Sequence, residues 1–245
     1  MSAVVTAATA RRVLTQIRHD PRTIALLLLV PAGLLTLLYF ILDGRPASFQ
    51  RIGAPMCGLF PFVTMFLVAS IAMLRERTSG TLERLMTLPL AKADILAGYA
   101  LAFGLLAAVQ AGIVTAVGFG ALDLHAPHGA TLVVLLAVGN ALLGMALGLF
   151  TSAFARTEFQ AVQFLPAFIF PQLLLCGLFV ARDDMAPVLE AVSRALPLTY
   201  AYDALERATG AAALGGAPAA DAAVIAAATL AALVLGAVTL RRRTP

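Results

Sequence analysis

Long apolar stretches separated by short polar ones run along the whole chain. Six of the apolar stretches are near the ~20 residues that a helix needs to cross a bilayer, and none of the six contains Asp, Glu, Lys or Arg. The pattern therefore predicts an all-α integral membrane protein with six transmembrane helices. The predicted spans are Thr23–Leu42, Pro55–Leu74, Ile95–Leu122, Ala130–Ala155, Phe159–Val180 and Ala222–Leu240.

A short amphipathic helix is predicted before the first span, within residues 1–21. Apolar residues recur in it at helical spacing and arginines occupy much of the rest, which is typical of a helix that lies in the membrane interface. Asp20 followed by Pro21 predicts the start of the next helix, because Asp is a good N-cap and proline suits the first helical position. The apolar face consists of Ala10, Val13, Leu14 and Ile17.

The segment Leu74–Asp94 contrasts with the apolar sequence on both sides because it holds seven charges. Since a single charge at the bilayer centre costs roughly 2.5–3.5 kcal/mol, this segment is predicted to be a solvent-facing loop. Thr81 and Pro89 would begin and end a two-turn helix in it. This helix either packs on the protein's own spans as a simple connection or docks onto a partner and transmits its motion. Its apolar face consists of Leu82, Leu85 and Met86.

A second long polar segment, residues 181–221, precedes the last span. Two short amphipathic helices are predicted in it, near residues 188–196 and 199–207, each with a possible i, i+4 ion pair. They suit either a half-inserted hairpin that caps the outer leaflet or a small surface subdomain. The predicted pairs are Glu190 with Arg194 and Asp203 with Arg207.

The distribution of basic residues predicts the orientation, because cytoplasmic segments of membrane proteins are enriched in Lys and Arg. With the N-terminus inside, twelve of the seventeen basic residues fall on the inside and five on the outside. Six spans then place both termini and the 75–94 loop in the cytoplasm. The net charge of +4 is thus explained by membrane orientation, and nucleic acid is not expected as a partner.

The sequence lacks the residues that several kinds of chemistry require. The single lysine, Lys92, follows P-L-A rather than a glycine loop, so the chain lacks the G-x-x-x-x-G-K-[ST] motif of an ATP site. Cys57 and Cys176 lie within apolar spans with no nearby His or carboxylate. Neither a metal site nor a set of catalytic residues is therefore expected. Spans without ionisable residues argue against an ion-coupled carrier, so the energy for any transport is expected from another subunit.

The polar residues of interest inside the predicted spans are neutral amides. They either hydrogen-bond neighbouring helices or line a cavity for amphipathic molecules, in which case they form the substrate pathway. Gly144 and Gly148, spaced as G-x-x-x-G, predict close helix packing within or between subunits. Pro166 and Pro171 predict a bend in the fifth span. The amides are Gln110, Asn140, Gln160, Gln163 and Gln172.

The loop after the second span resembles a family motif. It reads R-E-R-T-S-G-T-L-E-R-L-M-T-L-P from Arg75 to Pro89, and the permease subunits of ABC-2 type exporters have a charged R-E-R/K followed by G-T-L-E-x-L and a proline. The order of an amphipathic helix, six spans and a long outer segment before the last span is similar as well. The sequence P-L-T-Y from Pro197 to Tyr200 resembles the P-L-T/S-Y of the same family. The general pattern is similar to that of daunorubicin-type drug-export permeases.

The resemblance implies a single transmembrane domain over residues 1–245, with a coupling loop at 75–94 and outer re-entrant helices at 181–221. It implies a homodimer, or a pair with a related permease, in the lipid of the cell inner (plasma) membrane. The chain itself would not be an enzyme, because ATP and Mg would bind to a separate cytoplasmic ABC ATPase subunit. Pro197 and Tyr200 would belong to an outer gate. The implied ATPase-coupling residues are Arg75, Glu76, Gly80, Thr81, Leu82, Glu83, Leu85, Met86 and Pro89.

The function expected from this resemblance is export of a lipophilic or amphipathic substrate, a drug, antibiotic or lipid-like molecule, out of the cytoplasm or the inner leaflet. For a drug, such efflux would give antibiotic resistance. The alternatives are a permease for lipo-oligosaccharide or lipid-linked polysaccharide, a self-sufficient secondary carrier, and a membrane scaffold. Spans rich in Phe and Ala with only neutral polar groups favour the lipophilic cargo.

Overall fold

The computed structural model describes residues 3–81, 92–210 and 217–239, and helices form nearly all of these ranges. The same ranges contain no β-strand, and the predicted all-α class is confirmed. The helices are α1 (Ala3–Arg18), α2 (Pro21–Ile41), α3 (Pro46–Thr78), α4 (Lys92–Gly120), α5 (Ala130–Thr151), α6 (Glu158–Phe164), α7 (Phe170–Leu175), α8 (Pro187–Ser193), α9 (Pro197–Thr209) and α10 (Ala217–Thr239).

Five of the described helices, α2, α3, α4, α5 and α10, contain a stretch long and apolar enough to cross a membrane. They coincide with five of the six predicted spans. The largest difference is in α3, which begins at Pro46 and not at Pro55. Proline at a helix start replaces an N–H that would lack a partner, whereas Pro55 lies inside α3, where neighbouring helices can accommodate a proline in a membrane protein.

The predicted fifth span is not one regular helix. Residues 158–175 form α6, a π-helical turn at Leu165–Ile169 and α7 in direct succession. Pro166 and Pro171 each fall near the start of a segment, where the missing N–H interrupts the hydrogen bonding of the preceding helical turn. The π-helical turn thus lies at the position of the predicted bend. Six spans result only if this interrupted segment crosses the membrane together with the five regular helices.

The helices form a bundle with two ends, which we call the base and the top. The base holds α1, the last turn of α3 and residues 152–158. The top holds residues 42–50, 121–129 and 176–210. The base corresponds to the side predicted from the basic residues to be cytoplasmic, and the top to the opposite side.

At the base, α1 lies across the start of α4. The two helices approach so closely at Gly98 that a Cβ there would lie 2.5 Å from the Cβ of Thr9. Val13, on the predicted apolar face, is buried. The predicted cap of α2 is also present, because the Asp20 carboxylate accepts from the Thr23 N–H at 3.2 Å and from its hydroxyl at 2.6 Å. These hydrogen bonds lower the pKa of Asp20.

The centre of the bundle is the contact between α3 and α5, whose backbones nearly touch. At Gly144 a Cβ would lie 2.2 Å from the carbonyl oxygen of Phe62, and at Gly148 it would lie 2.3 Å from the carbonyl oxygen of Phe66. The predicted G-x-x-x-G packing therefore operates within one subunit. The phenylalanine side chains at positions 62 and 66 are fully buried beside this contact.

At the top, α8 and α9 are the two short helices predicted before the last span. Helix α9 lies against α3, α5 and α10 with one face buried. Leu205 on that face comes so close to Gly58 of α3 that a Cβ there would lie 2.5 Å from the leucine Cδ1. Both predicted ion pairs are present, Glu190 with Arg194 and Asp203 with Arg207.

Replacing Gly144 or Gly148 with alanine is expected to lower the free energy of unfolding by about 1–3 kcal/mol, as overpacking does in other cores. The reason is that the new Cβ meets a backbone carbonyl, which no rotamer change can move. The measurement is the thermal unfolding midpoint of the purified protein in detergent. Gly139→Ala is the matched control on the same helix, since the nearest atom to its Cβ would be 3.9 Å away. Equal midpoints for all three variants would contradict the assigned contact.

Candidate coupling site

The predicted coupling residues that the structure describes lie at the base, at the C-terminal end of α3. Helix α3 continues to Thr78, so Arg75 and Glu76 belong to its last turns, beyond the predicted end of the second span at Leu74. Gly80 then turns the chain with a φ of 72°, which glycine adopts readily, and Thr81 follows it. The remaining predicted coupling residues, Leu82, Glu83, Leu85, Met86 and Pro89, lie outside the described residues.

Glu76 is paired with the N-terminal helix. Its Oε2 accepts a hydrogen bond from the Arg12 guanidinium at 3.2 Å, and the same guanidinium donates to the Tyr99 hydroxyl of α4. The side chains of Arg12 and Glu76 are only 30% and 11% exposed. A single arginine of α1 therefore joins α3 to α4.

Arg75 makes a bidentate contact with Glu158 in the first turn of α6. Its Nε donates to Oε1 at 2.7 Å and its Nη2 donates to Oε2 at 3.0 Å. These hydrogen bonds hold the pKa of Glu158 below its usual value, so the pair stays ionised at neutral pH. Both side chains are more than half exposed, and an exposed ion pair contributes only ~0–1 kcal/mol.

Arg77 makes the third contact, because its guanidinium donates to the carbonyl oxygen of Ser152, just beyond α5. Successive side chains on an α-helix point about 100° apart, so three consecutive residues reach three different sides of α3. Arg75, Glu76 and Arg77 thus connect α3 to α6, to α1 and to the end of α5. We call residues 75–77 the R-E-R turn.

Four residues of this arrangement were not among the predicted site residues. The distribution of basic residues predicts that Arg12 and Arg77 lie on the same side of the membrane as the acidic residues at the base. This shared side was the one signal in the sequence that could have indicated their contacts. The spacing does not indicate which acid pairs with which base, since the ion-paired partners are 64 and 83 residues apart. The four residues are Arg12, Arg77, Tyr99 and Glu158.

The five neutral amides do not gather at one place. Gln110 is fully buried, and its Nε2 donates to the Leu27 carbonyl and to the Thr64 hydroxyl, each at 2.6 Å. Asn140 is also fully buried and donates to the Ala201 carbonyl at 3.4 Å. These bonds join α4 to α2 and α3, and α5 to α9. For these two residues the structure thus shows interhelical hydrogen bonds.

The other three amides lie along the interrupted segment. Gln160 accepts from the Arg156 N–H at 2.8 Å and Gln172 donates to the Phe168 carbonyl at 3.0 Å, both local contacts. Gln163 is exposed on α6. A role for the five amides in a substrate pathway stays a prediction.

The predicted gate residues lie at the top. Pro197 falls in the first turn of α9, and the Tyr200 hydroxyl donates to the Arg194 carbonyl at 2.8 Å, which ties α9 back to the end of α8. A chain of ion pairs runs beside them and reaches α10. Its carboxylates are 8% and 9% exposed. The chain runs Arg182, Asp203, Arg207 and Asp221.

Replacing Glu76 with glutamine is expected to lower the free energy of unfolding by roughly 1.5–3 kcal/mol, because a hydrogen bond between charged groups is lost and Arg12 stays partly withdrawn from water. The matched change Glu158→Gln removes an exposed carboxylate and should cost at most ~1 kcal/mol. Unfolding midpoints in detergent distinguish the two. If Glu158→Gln is as destabilising as Glu76→Gln, the ranking of the two pairs is wrong.

Comparison with known proteins shows which family the sequence resembles. A family model described as ABC-2 type transporter matches residues 4–208. The chain is 28% identical over 164 residues to ABC transporter G family member 20 of Dictyostelium discoideum, which covers 66% of this chain and 22% of that protein. It is 29% identical over 145 residues to the probable multidrug ABC transporter permease YbhR of Escherichia coli strain K12, which covers 58% of this chain and 38% of that protein.

The matched region is thus less than half of either relative, whereas the family model covers most of this chain and includes α1, the R-E-R turn and the gate residues. A family match over most of the chain establishes its membership. The chain belongs to the ABC-2 type transporter family of membrane proteins.

Proposed function

We propose that this chain is the transmembrane permease subunit of an ATP-driven exporter. Its substrate is lipophilic or amphipathic, a drug or a lipid-like molecule, and leaves from the cytoplasm or the inner leaflet. Membership of the family supports the class of protein, and the name of the Escherichia coli relative, a probable multidrug permease, supports the class of substrate. A separate ATPase subunit binds ATP and Mg and supplies the energy.

The observation that carries this proposal is the set of contacts made by the R-E-R turn. Four residues separate the turn from Leu82, and the sequence predicts the coupling helix between Thr81 and Pro89. Through the contacts of Arg75, Glu76 and Arg77, a displacement of that helix acts on α6, α1 and the end of α5 together. A segment that only joined two spans would not need contacts to three further elements.

The two ion pairs of the R-E-R turn differ in strength. The Arg12–Glu76 pair is largely buried and shares its guanidinium with Tyr99, so α1, α3 and α4 stay together. The Arg75–Glu158 pair is exposed and costs little to break, so α6 is held on α3 mainly by the apolar cluster that includes Leu74 and Ala161. To shift the populations of two conformations of the permease from 1:99 to 99:1, the ATPase must bind one of them about 5.5 kcal/mol more tightly than the other. This is far more than the Arg75–Glu158 pair contributes.

At the top, we assign the outer gate to α8 and α9 with Pro197 and Tyr200. The burial of α9 among α3, α5 and α10 supports a re-entrant placement. The ion pairs from Asp203 to Arg182 and Arg207 hold the gate in place. Because nearly buried carboxylates keep their charge only with partners, the gate moves as a unit with these arginines.

Two copies of this chain, or one copy with a related permease, form the transport pathway in this proposal. The interrupted segment supports a lateral partner, because Phe159, Phe168 and Leu174 are 72%, 53% and 59% exposed on it. The complex lies in the cell inner (plasma) membrane as a multi-pass assembly, with the base and both ends of the chain in the cytoplasm.

Replacing Leu82, Leu85 and Met86 together with aspartate is expected to abolish co-purification with the ATPase subunit and the stimulation of its ATP hydrolysis by substrate. An apolar docking face cannot bury three carboxylates without partners. The measurements are a pull-down through a tag on this chain and an ATPase assay of the complex in proteoliposomes.

The matched control replaces Val188, Leu189 and Val192 with aspartate. These side chains are exposed on α8 at the top, so the control should still retain the ATPase. A variant with aspartate at 82, 85 and 86 that folds normally and keeps both the ATPase and its stimulated activity would show that the coupling assignment is wrong.

Single cysteines at Ser79 and His125 test the orientation. Both positions are exposed, whereas the native Cys57 and Cys176 are fully buried and should not react. On intact cells, a membrane-impermeant maleimide is expected to label His125→Cys, and to label Ser79→Cys only after permeabilisation. The reverse pattern would place the base outside the cell and refute the proposed orientation.

A further inference from the structure

A cavity of about 640 Å³ lies at the base between α1, α2, α3 and α4. Its volume falls within the ~300–1,000 Å³ that is usual for sites of small molecules. Apolar side chains form most of its wall, Leu26 and Val30 from α2, Leu67 and Val68 from α3, and Phe103 from α4. None of the five neutral amides described above lines it.

The cavity opens beside α2. Leu26 and Val30, which line it, are 64% and 39% exposed, and they lie on α2, whose apolar stretch is covered by protein to only a small extent. Since the partner copy is proposed to lie against the interrupted segment, this surface of α2 is left to face lipid in the membrane. A void that opens onto lipid does not stay empty, because its wall would forfeit its dispersion contacts.

The cavity has the depth of one leaflet. Its wall runs from Asp20, the cap of α2, to Val30, ten residues further along the chain, which is about 15 Å along a helix. The hydrocarbon core of a bilayer is ~30 Å thick, so the length of the cavity wall matches the thickness of one leaflet. The shape therefore suits one extended acyl chain that enters from the leaflet at the base.

The floor of the cavity is polar and carries both signs of charge. Asp20 and Glu76 supply carboxylates, Arg75 supplies a guanidinium, and Gln16 and Ser79 supply neutral donors and acceptors. Arg75 is exposed and only weakly held by its ion pair, so it can also donate to a phosphate. A headgroup with one phosphate and one ammonium matches both signs at this floor. A purely anionic headgroup would face the carboxylate of Asp20, since Glu76 is already paired with Arg12.

We propose that this cavity binds a zwitterionic phospholipid of the leaflet at the base, with one acyl chain between α2 and α3 and the headgroup at Asp20 and Arg75. The proposal does not depend on the exported substrate or on the ATPase. The lipid lies against Glu76 and Tyr99, the residues that hold α1, and therefore forms part of the packing of the base.

A single tryptophan tests the site, because the chain contains none. Phe103 lines the cavity and is 1% exposed, so Phe103→Trp has room for its larger ring yet is shielded from bulk lipid. In nanodiscs that contain phosphatidylethanolamine brominated on its acyl chains, the fluorescence of this variant is expected to be quenched. Adding Ala72→Phe, which fills the cavity from α3, should restore the emission.

The matched control adds Ala25→Phe to the same tryptophan variant. Ala25 is on the exposed face of α2 outside the cavity, so the quenching should persist. If the emission of Phe103→Trp is not quenched, the proposed site is wrong. The same holds if Ala72→Phe does not relieve the quenching in a protein that remains monodisperse. Brominated phosphatidylglycerol at the same mole fraction should quench less, and equal quenching by the two lipids would overturn the headgroup assignment.

Discussion

A charge at the edge of the hydrocarbon needs a partner, and the base of this protein is organised by that requirement. A basic amphipathic helix in the interface ordinarily extends its arginines to the headgroups. Here Arg12 turns inward and meets Glu76 and Tyr99. Removing either ionic partner would leave the other partly desolvated, so α1 is fixed to α3 and α4 and is a structural part of the bundle.

Local signals in the sequence predicted most of the fold. The apolar stretches, the Asp20–Pro21 cap and the i, i+4 pairs at the top each depend on residues close in sequence, and the structure contains them. The start of α3 at Pro46 was missed because residues 46–54 include Arg51 and precede the apolar stretch that marked the span. The contacts of the R-E-R turn were not predicted, because its partners lie 64 to 83 residues away in the sequence.

Two patterns had more than one meaning in the sequence. G-x-x-x-G fits packing within or between subunits, and the carbonyls of Phe62 and Phe66 show that it packs within one. The amides at positions 110 and 140 fit a cavity or a helix contact. Each is hydrogen-bonded to a neighbouring helix, while a role in a substrate pathway stays a prediction. Residue type and spacing are identical under either meaning, so the sequence alone could not separate them.

The grip of Gly144 on Phe62 falls at the middle of α3, since Phe62 is the seventeenth of its 33 residues. The helix is about 50 Å long, so about 25 Å of it extends on either side of this contact. Tilting it by about 10° would carry each end about 4 Å, in opposite directions. Narrowing at the base and widening at the top would then be a single movement of one helix, with α5 as its pivot.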